Sequence, residues 1–145
     1  MDENQSMVTC LKFNIDGHRA NDWPKIKILL NNTLLFNNTI VGSCQLEFQA
    51  ELKDQNQLII ELYDKNNDTQ VDTAGHVIAD CHAIINAVHI DNIKFDINDF
   101  SNYKFFYCTC DGEQLVTNYL GKEGQLTIDF SWPAWKLWYD LKSRP

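Results

Sequence analysis

Over most of this chain every second residue is apolar, and that period leaves few folds open. Leu11, Phe13 and Ile15 alternate with Lys12 and Asn14, and Ile26, Ile28 and Leu30 follow Lys25 and Lys27 in the same way. The clearest run sets Cys44, Leu46, Phe48, Ala50 and Leu52 against Gln45, Glu47, Gln49 and Glu51. Successive side chains of a strand point to opposite faces, so such a run is a strand with one dry face and one wet face. Further on, Leu58, Ile60 and Leu62 oppose Ile59, Glu61 and Tyr63, and Leu126, Ile128 and Phe130 repeat the pattern near the end. Tyr103 to Cys108 reads as another strand. Ile84 to Phe95 reads as one long apolar segment, with Ile84, Val88 and Ile90 inward and a helical turn over 83–90 as the alternative.

Polar turn signals separate these runs: Asp16-Gly17, Asp54-Gln55-Asn56, Asn66-Asn67-Asp68, Asp111-Gly112 and Gly121-Lys122-Glu123-Gly124. The six glycines all fall at such expected turns, and none of the three prolines interrupts a strand. About seven to nine short antiparallel strands then imply an all-β sandwich or jelly roll. Ala134 to Lys142 is the one helical candidate, a short C-terminal helix opened by Pro133. At 145 residues the chain suits a single domain, residues 1–145, with a polar tail at 1–7 and an aromatic segment at 132–145. A chain of this size buries roughly 70% of its unfolded surface, so it needs no staple.

Charge and composition remove several functions. Twenty acidic against twelve basic residues give a net charge of −8, which disfavours phosphate-rich ligands, so no nucleic acid is expected. No polybasic anchor and no long apolar run is present, so no membrane is expected either. Met1 to Ser6 lacks the features of a secretory leader, which implies folding in a cytoplasm. The five cysteines are an odd, scattered set, unlike a disulfide scaffold. Three Asn-x-Thr triplets, starting at Asn31, Asn37 and Asn67, read as accidents of an Asn-rich composition.

Chemistry-bearing motifs are few. Asp64, Asn66, Asp68 and Asp72 place side-chain oxygens at alternate positions, as calcium loops do. The match is partial: Thr69 stands where a calcium loop turns on glycine, and Gly75 where it uses a bidentate glutamate. The loop is therefore read first as a solvated connection with no cofactor, and second as a calcium site held by Asp64, Asn66 and Asp68. His76, Asp80, Cys81, His82 and His89 lack the paired spacing of structural zinc, and so does Cys108-x-Cys110. No nucleophile motif and no phosphate loop occurs, so the chain is not read as an enzyme. The C-terminal run is the densest feature: Trp132, Trp135, Trp138 and Tyr139, of which the last three would share one helical face. That run is read as either a cap on the sandwich or an arm that docks on a partner.

His89-Ile90-Asp91-Asn92-Ile93-Lys94-Phe95 resembles the Ile-Asp-Asn-Ile strand found late in the jelly rolls of carbohydrate-binding modules. The wider plan, from Lys25-Ile26-Lys27-Ile28 through Leu58 to Tyr63 and on to the aromatic C-terminus, resembles small virion proteins of tailed phages, the T-even-like and cyanobacterial ones. The resemblance spans residues 11–132 and implies a sandwich serving as a tail, fibre, neck or capsid-decoration component, assembled into a virion in the host cytoplasm. Its partners would be other virion proteins or further copies of itself, held by Trp132, Trp135, Trp138, Tyr139 and one sheet face. The second reading is a carbohydrate-binding module for glycan adhesion, with Trp23 and Trp135 as platforms and Asp64, Asn66, Asp68, Asp72 and Asp80 as sugar or cation contacts. If the aromatic segment is an arm, deleting the residues after Ser131 leaves a folded sandwich that no longer assembles. Circular dichroism and sedimentation check this, and a molten product would make the segment part of the core.

Overall fold

The computed structural model describes residues 7–65, 69–90, 93–96 and 106–131. Within them the regular structure is all strand, and no helix occurs among the described residues. The strands are β1 (Met7–His18), β2 (Lys25–Leu30), β3 (Thr33–Thr39), β4 (Ser43–Leu52), β5 (Gln55–Tyr63), β6 (Thr69–Val71) and β7 (Val77–Asp80). They continue as β8 (His82–Ile90), β9 (Ile93–Asp96), β10 (Phe106–Thr109), β11 (Gln114–Val116), β12 (Tyr119–Leu120) and β13 (Gly124–Ser131). All pairings are antiparallel. One sheet runs β12-β8-β1-β4, with β9 beside β8; the other runs β11-β10-β13-β5-β2-β3; β6 and β7 form a separate hairpin. The architecture is a β-sandwich of the jelly-roll kind.

Period two decides what lies between the sheets. Leu11, Phe13 and Ile15 of β1 are buried together with Ile26, Ile28 and Leu30 of β2. Leu58, Ile60 and Leu62 of β5 and Leu126, Ile128 and Phe130 of β13 complete the facing layer. Each such aliphatic side chain contributes about 1.5–3 kcal/mol by leaving water. On the edge strand β4, Ala50 and Leu52 are buried while Cys44, Leu46 and Phe48 are half-covered. Phe48 packs tilted between Phe13 and Phe36, ring centroids 6.0 and 6.1 Å away, and so closes that side of the sandwich.

Several elements depart from the sequence reading. There are more strands than the alternation marks, because β6, β7, β9, β11 and β12 span two to four residues, too few to show a period. The segment from Ile84 to Phe95 is not one strand but β8 and β9, paired with each other so that Ile90 faces Ile93. Ile84 does not join the core. The register of β1 against β8 slips between Asn14 and Ile15, leaving Asn86 as the extra residue of a bulge. Parity therefore reverses there: Ala83 and Ile85 join the core before the bulge, and Val88 and Ile90 after it. Asn86 turns outward and donates to Asp16 at 2.7 Å. The proposed C-terminal helix at Ala134 to Lys142 lies outside the described residues, as do Tyr103 and its neighbours at the start of the expected strand.

Asparagine has local work in the β2–β3 hairpin. Asn31 and Asn32 both take left-handed backbone, φ 51° and 67°, as a two-residue hairpin turn of the primed type requires. The Asn31 amide also donates to Asn56 at 3.0 Å, and its oxygen accepts from the Gln57 amide at 2.8 Å, which fixes the turn to the start of β5. Asn56 is itself buried and closes the β4–β5 connection through both the amide and the carbonyl of Lys53.

Asp16-Gly17 is not a turn: β1 runs through it to His18. Gly17 is needed because the chain crosses it on the way from β3 to β4, and an added Cβ would overlap the Ile40 carbonyl. Gly17 also donates to the Gly42 carbonyl at 2.8 Å, which seals the crossing. Gly17→Ala should therefore lower stability by about 1–3 kcal/mol, the usual range for overpacking. Urea unfolding monitored by fluorescence measures it.

Candidate functional site

A groove of about 750 Å³ opens at one end of the sandwich. Its floor comes from the chain just after β5, from the β6–β7 hairpin, from the end of β10, and from β12 with the turn that follows it. Lys65, Asp80, Tyr119 and Lys122 line it together with Tyr107 and Asp111. The β6–β7 hairpin is tied back to the β1–β2 connection by Gln70, which donates to Asn21 at 2.7 Å.

The centre of the groove is an ion pair. Lys65 Nζ lies 2.8 Å from one Asp80 carboxylate oxygen, with both side chains largely covered, 10% and 22% exposed. The same oxygen accepts from the Thr69 hydroxyl at 2.7 Å, and the other oxygen accepts from the Tyr119 hydroxyl at 3.3 Å. Lys65 Nζ donates in addition to the Gly121 carbonyl, and the Lys65 amide donates to Glu123 at 2.8 Å. Burial on its own would raise the Asp80 carboxyl, but the bonds from Lys65 and Thr69 and the lysine charge outweigh it and hold the group below the ordinary carboxylate range. Burial and the Asp80 charge push the Tyr119 phenol up.

An aromatic ladder runs from this pair across the sheet. His18 of β1 stacks on His82 of β8 with centroids 4.4 Å apart, and His82 stacks on Tyr119 of β12 at 4.5 Å. The Tyr119 ring in turn rests on Gly121, where an added Cβ would overlap it. His82 Nδ1 sits 2.9 Å from the Asp80 carbonyl. Burial lowers the His82 imidazole below its ordinary value, against the upward pull of that carbonyl. At the other wall Lys122 bridges Glu113 at 2.5 Å and Asp111 at 3.7 Å, all exposed. Tyr107 is buried beneath, donates to the Lys122 carbonyl, and has its phenol pushed well up by burial.

Of the residues singled out in the sequence, Asp80 stands in this groove. Asp72 does not: its carboxylate accepts from the Ala74 and His76 amides, both at 2.9 Å, and shapes the tip of the β6–β7 hairpin. Trp23 lies half-buried against Arg19, whose guanidinium is 5.4 Å from the ring centroid, and does not line the groove. Asp64, at φ 53°, has its carboxylate 3.8 Å from Lys25 Nζ. Asn66 and Asp68 lie outside the described residues, and so do Trp132, Trp135, Trp138 and Tyr139 of the expected docking arm. Sequence reasoning missed Lys65, Tyr119 and the His18–His82 stack. Nothing along the chain marks them, since they meet only across strands.

Calcium wants six to eight oxygens around one point. The described candidates do not supply them: Asp72 serves its own hairpin, Asp64 adjoins Lys25, and Asp80 is occupied by Lys65. Among the described residues no group of three His, Cys, Asp or Glu side chains is arranged to hold a metal. The five cysteines form no disulfide.

No protein-family model matches the chain, and no curated protein matches it. Among solved structures it is similar to vCBM60 in complex with galactobiose, with a TM-score of 0.51 and 6% identity over 82% of this chain and 96% of that one. A second structure of vCBM60, described as one of two families of calcium-dependent carbohydrate-binding modules linked by circular permutation, gives 0.53 and 8% over 83% and 89%. At such identity the likeness is one of fold: this chain has the jelly roll that those carbohydrate-binding modules have.

The histidine shifts carry a pH consequence. His82 is lowered by burial from 6.5, and His89 is lowered by burial and then by Lys94 and Lys12. A depressed folded pKa means that the unfolded chain takes up protons first, so stability is whole above the unfolded value near 6.5 and falls as the pH drops through the folded values. Urea midpoints should fall between neutral pH and mildly acidic pH, and His82→Gln should reduce that fall while starting from a lower neutral midpoint, because it also loses the stack with His18 and Tyr119.

Proposed function

We propose that this protein is a non-catalytic carbohydrate-binding domain that takes a glycan in the groove at the end of its sandwich. The observation that carries the reading is the groove itself. Its volume of about 750 Å³ lies within the usual range for ligand sites, and its lining joins tyrosine rings to a row of charged side chains. A sugar is dense in hydroxyls that both donate and accept, with patches of C–H on the ring. Asp80 and Asp111 supply acceptors, Lys65 and Lys122 supply donors, and Tyr119 adds an apolar edge beside its hydroxyl. The shared jelly roll supports the same reading.

The carboxylates support binding without turnover. Glycoside hydrolysis needs one acid held protonated, its pKa raised, opposite a second carboxylate. Asp80 and Asp111 are both displaced the other way: bonds from Lys65 and Thr69 overcome burial at the first, and the Thr109 hydroxyl leads at the second. A chain of this kind concentrates an activity or a particle on a glycan and leaves the chemistry to others. The expected virion role rests on a resemblance over residues 11–132 and on docking through the aromatic segment and one sheet face. The aromatic segment from Trp132 onward lies outside the described residues, and no observation within them favours that role over glycan binding.

A glycan array probed with the purified full chain tests the proposal, with galactobiose among the probes. Specific spots should appear, and Tyr119→Ala should weaken them by about tenfold or more, as loss of an aromatic anchor does. Glu47→Gln, on the exposed face of β4, should leave them unchanged. Silence of the wild type beside working control lectins sinks the reading.

A further inference from the structure

We infer that the Lys65 ammonium is the built-in cation of this groove, so that the groove is assembled and takes its ligand without a divalent metal. A hard metal ion in a sandwich loop does two things: it draws together oxygens from separate strands, and it offers positive charge to a ligand hydroxyl. Lys65 does the first here. Its ammonium joins the Asp80 carboxylate at the end of β7 to the Gly121 carbonyl after β12, and its amide joins Glu123. The Asp80 carboxylate it neutralises is completed by the Thr69 and Tyr119 hydroxyls. Chain from β5, β6, β7 and β12 thus meets at one ion pair.

The second task follows from donor arithmetic. An ammonium has three N–H donors and no acceptor. Among the described residues Asp80 and Gly121 take two of them, and the third is the one a ligand oxygen would use. A divalent ion could use Asp80 only by displacing Lys65, whose side chain is 10% exposed and would carry its charge beside the incoming metal. Asp72, which would have to help, is turned onto the Ala74 and His76 amides. In this respect the chain parts from the calcium-dependent modules whose fold it shares. What the groove captures rests on the glycan-binding reading; how the groove is held together does not.

Two arms test the inference on the full chain. In the first, melting is followed in EDTA and in millimolar calcium chloride. The wild-type temperatures should agree within about 1 °C, since only an ion bound to the native state would raise the melting point. Lys65→Met should melt roughly 3–8 °C lower. Adding Asp80→Asn to Lys65→Met should recover part of that loss, because the carboxylate is then no longer left unpaired. Lys65→Arg, which keeps the cation, should stay near the wild type and covers the case in which the methionine variant does not fold. A calcium-induced rise in the wild type, or a Lys65→Met protein as stable as the wild type, overturns the inference. In the second arm the glycan array is run in EDTA and in calcium. Spots that survive EDTA, vanish in Lys65→Met and persist in Lys65→Arg support the inference, and spots abolished by EDTA overturn it while leaving the glycan reading intact. An array silent in both buffers defeats the glycan reading alone, and the melting arm still decides the role of Lys65.

Discussion

Two sheets can bury one face each only if every long strand keeps its apolar side chains on the same parity, and the whole molecule depends on that constraint. β1 shows its strictness. It pairs with β4 on one side and β8 on the other, so Leu11, Phe13 and Ile15 must all point inward for either neighbour to be in register. A slip of one residue would turn those three side chains to water and bring Lys12 and Asn14 into the core. The bulge at Asn86 is how β8 meets the requirement with a sequence that changes parity midway.

The wet ends of the same strands are free of that constraint, and there the polar chemistry gathers. The groove lies where β5, β7, β10 and β12 stop, and its centre is a covered Lys65–Asp80 pair. Such a pair adds little net stability when desolvated, because the loss of hydration offsets the attraction. Its value is geometric. With both Asp80 oxygens occupied and the ammonium tied to the Gly121 carbonyl, only one arrangement of the surrounding loops satisfies every partner. The His18–His82–Tyr119 ladder then holds the neighbouring wall upright, with Gly121 leaving room for the ring.

Much of the sandwich was legible before any coordinates, because period two is a local signal and needs no partner to be seen. The runs at Leu11–Ile15, Cys44–Leu52, Leu58–Leu62 and Leu126–Phe130 all sit with the expected faces inward. What escaped was of two kinds. Short strands such as β6, β7 and β12 hold too few residues for a period. Positions such as Gly17 and Ile84 take their roles from another part of the chain: Gly17 from the backbone of Ile40 passing over it, Ile84 from a bulge in the pairing of β8 with β1. Asp72, a ligand candidate on spacing alone, takes a local role of the same kind, as its carboxylate accepts from the Ala74 and His76 amides of its own turn.

The sequence by itself determined the class of fold, an all-β sandwich, and its net negative charge, because alternation and charge are properties of the chain read one residue after another. Only the tertiary structure decided the site. Lys65 and Asp80 are fifteen positions apart, Asp80 and Tyr119 thirty-nine, and His18 and His82 sixty-four, so no spacing rule joins them. They meet because antiparallel pairing returns separate strands to one end of the sandwich, and a hydrogen bond depends on distance in space, whatever the distance along the chain.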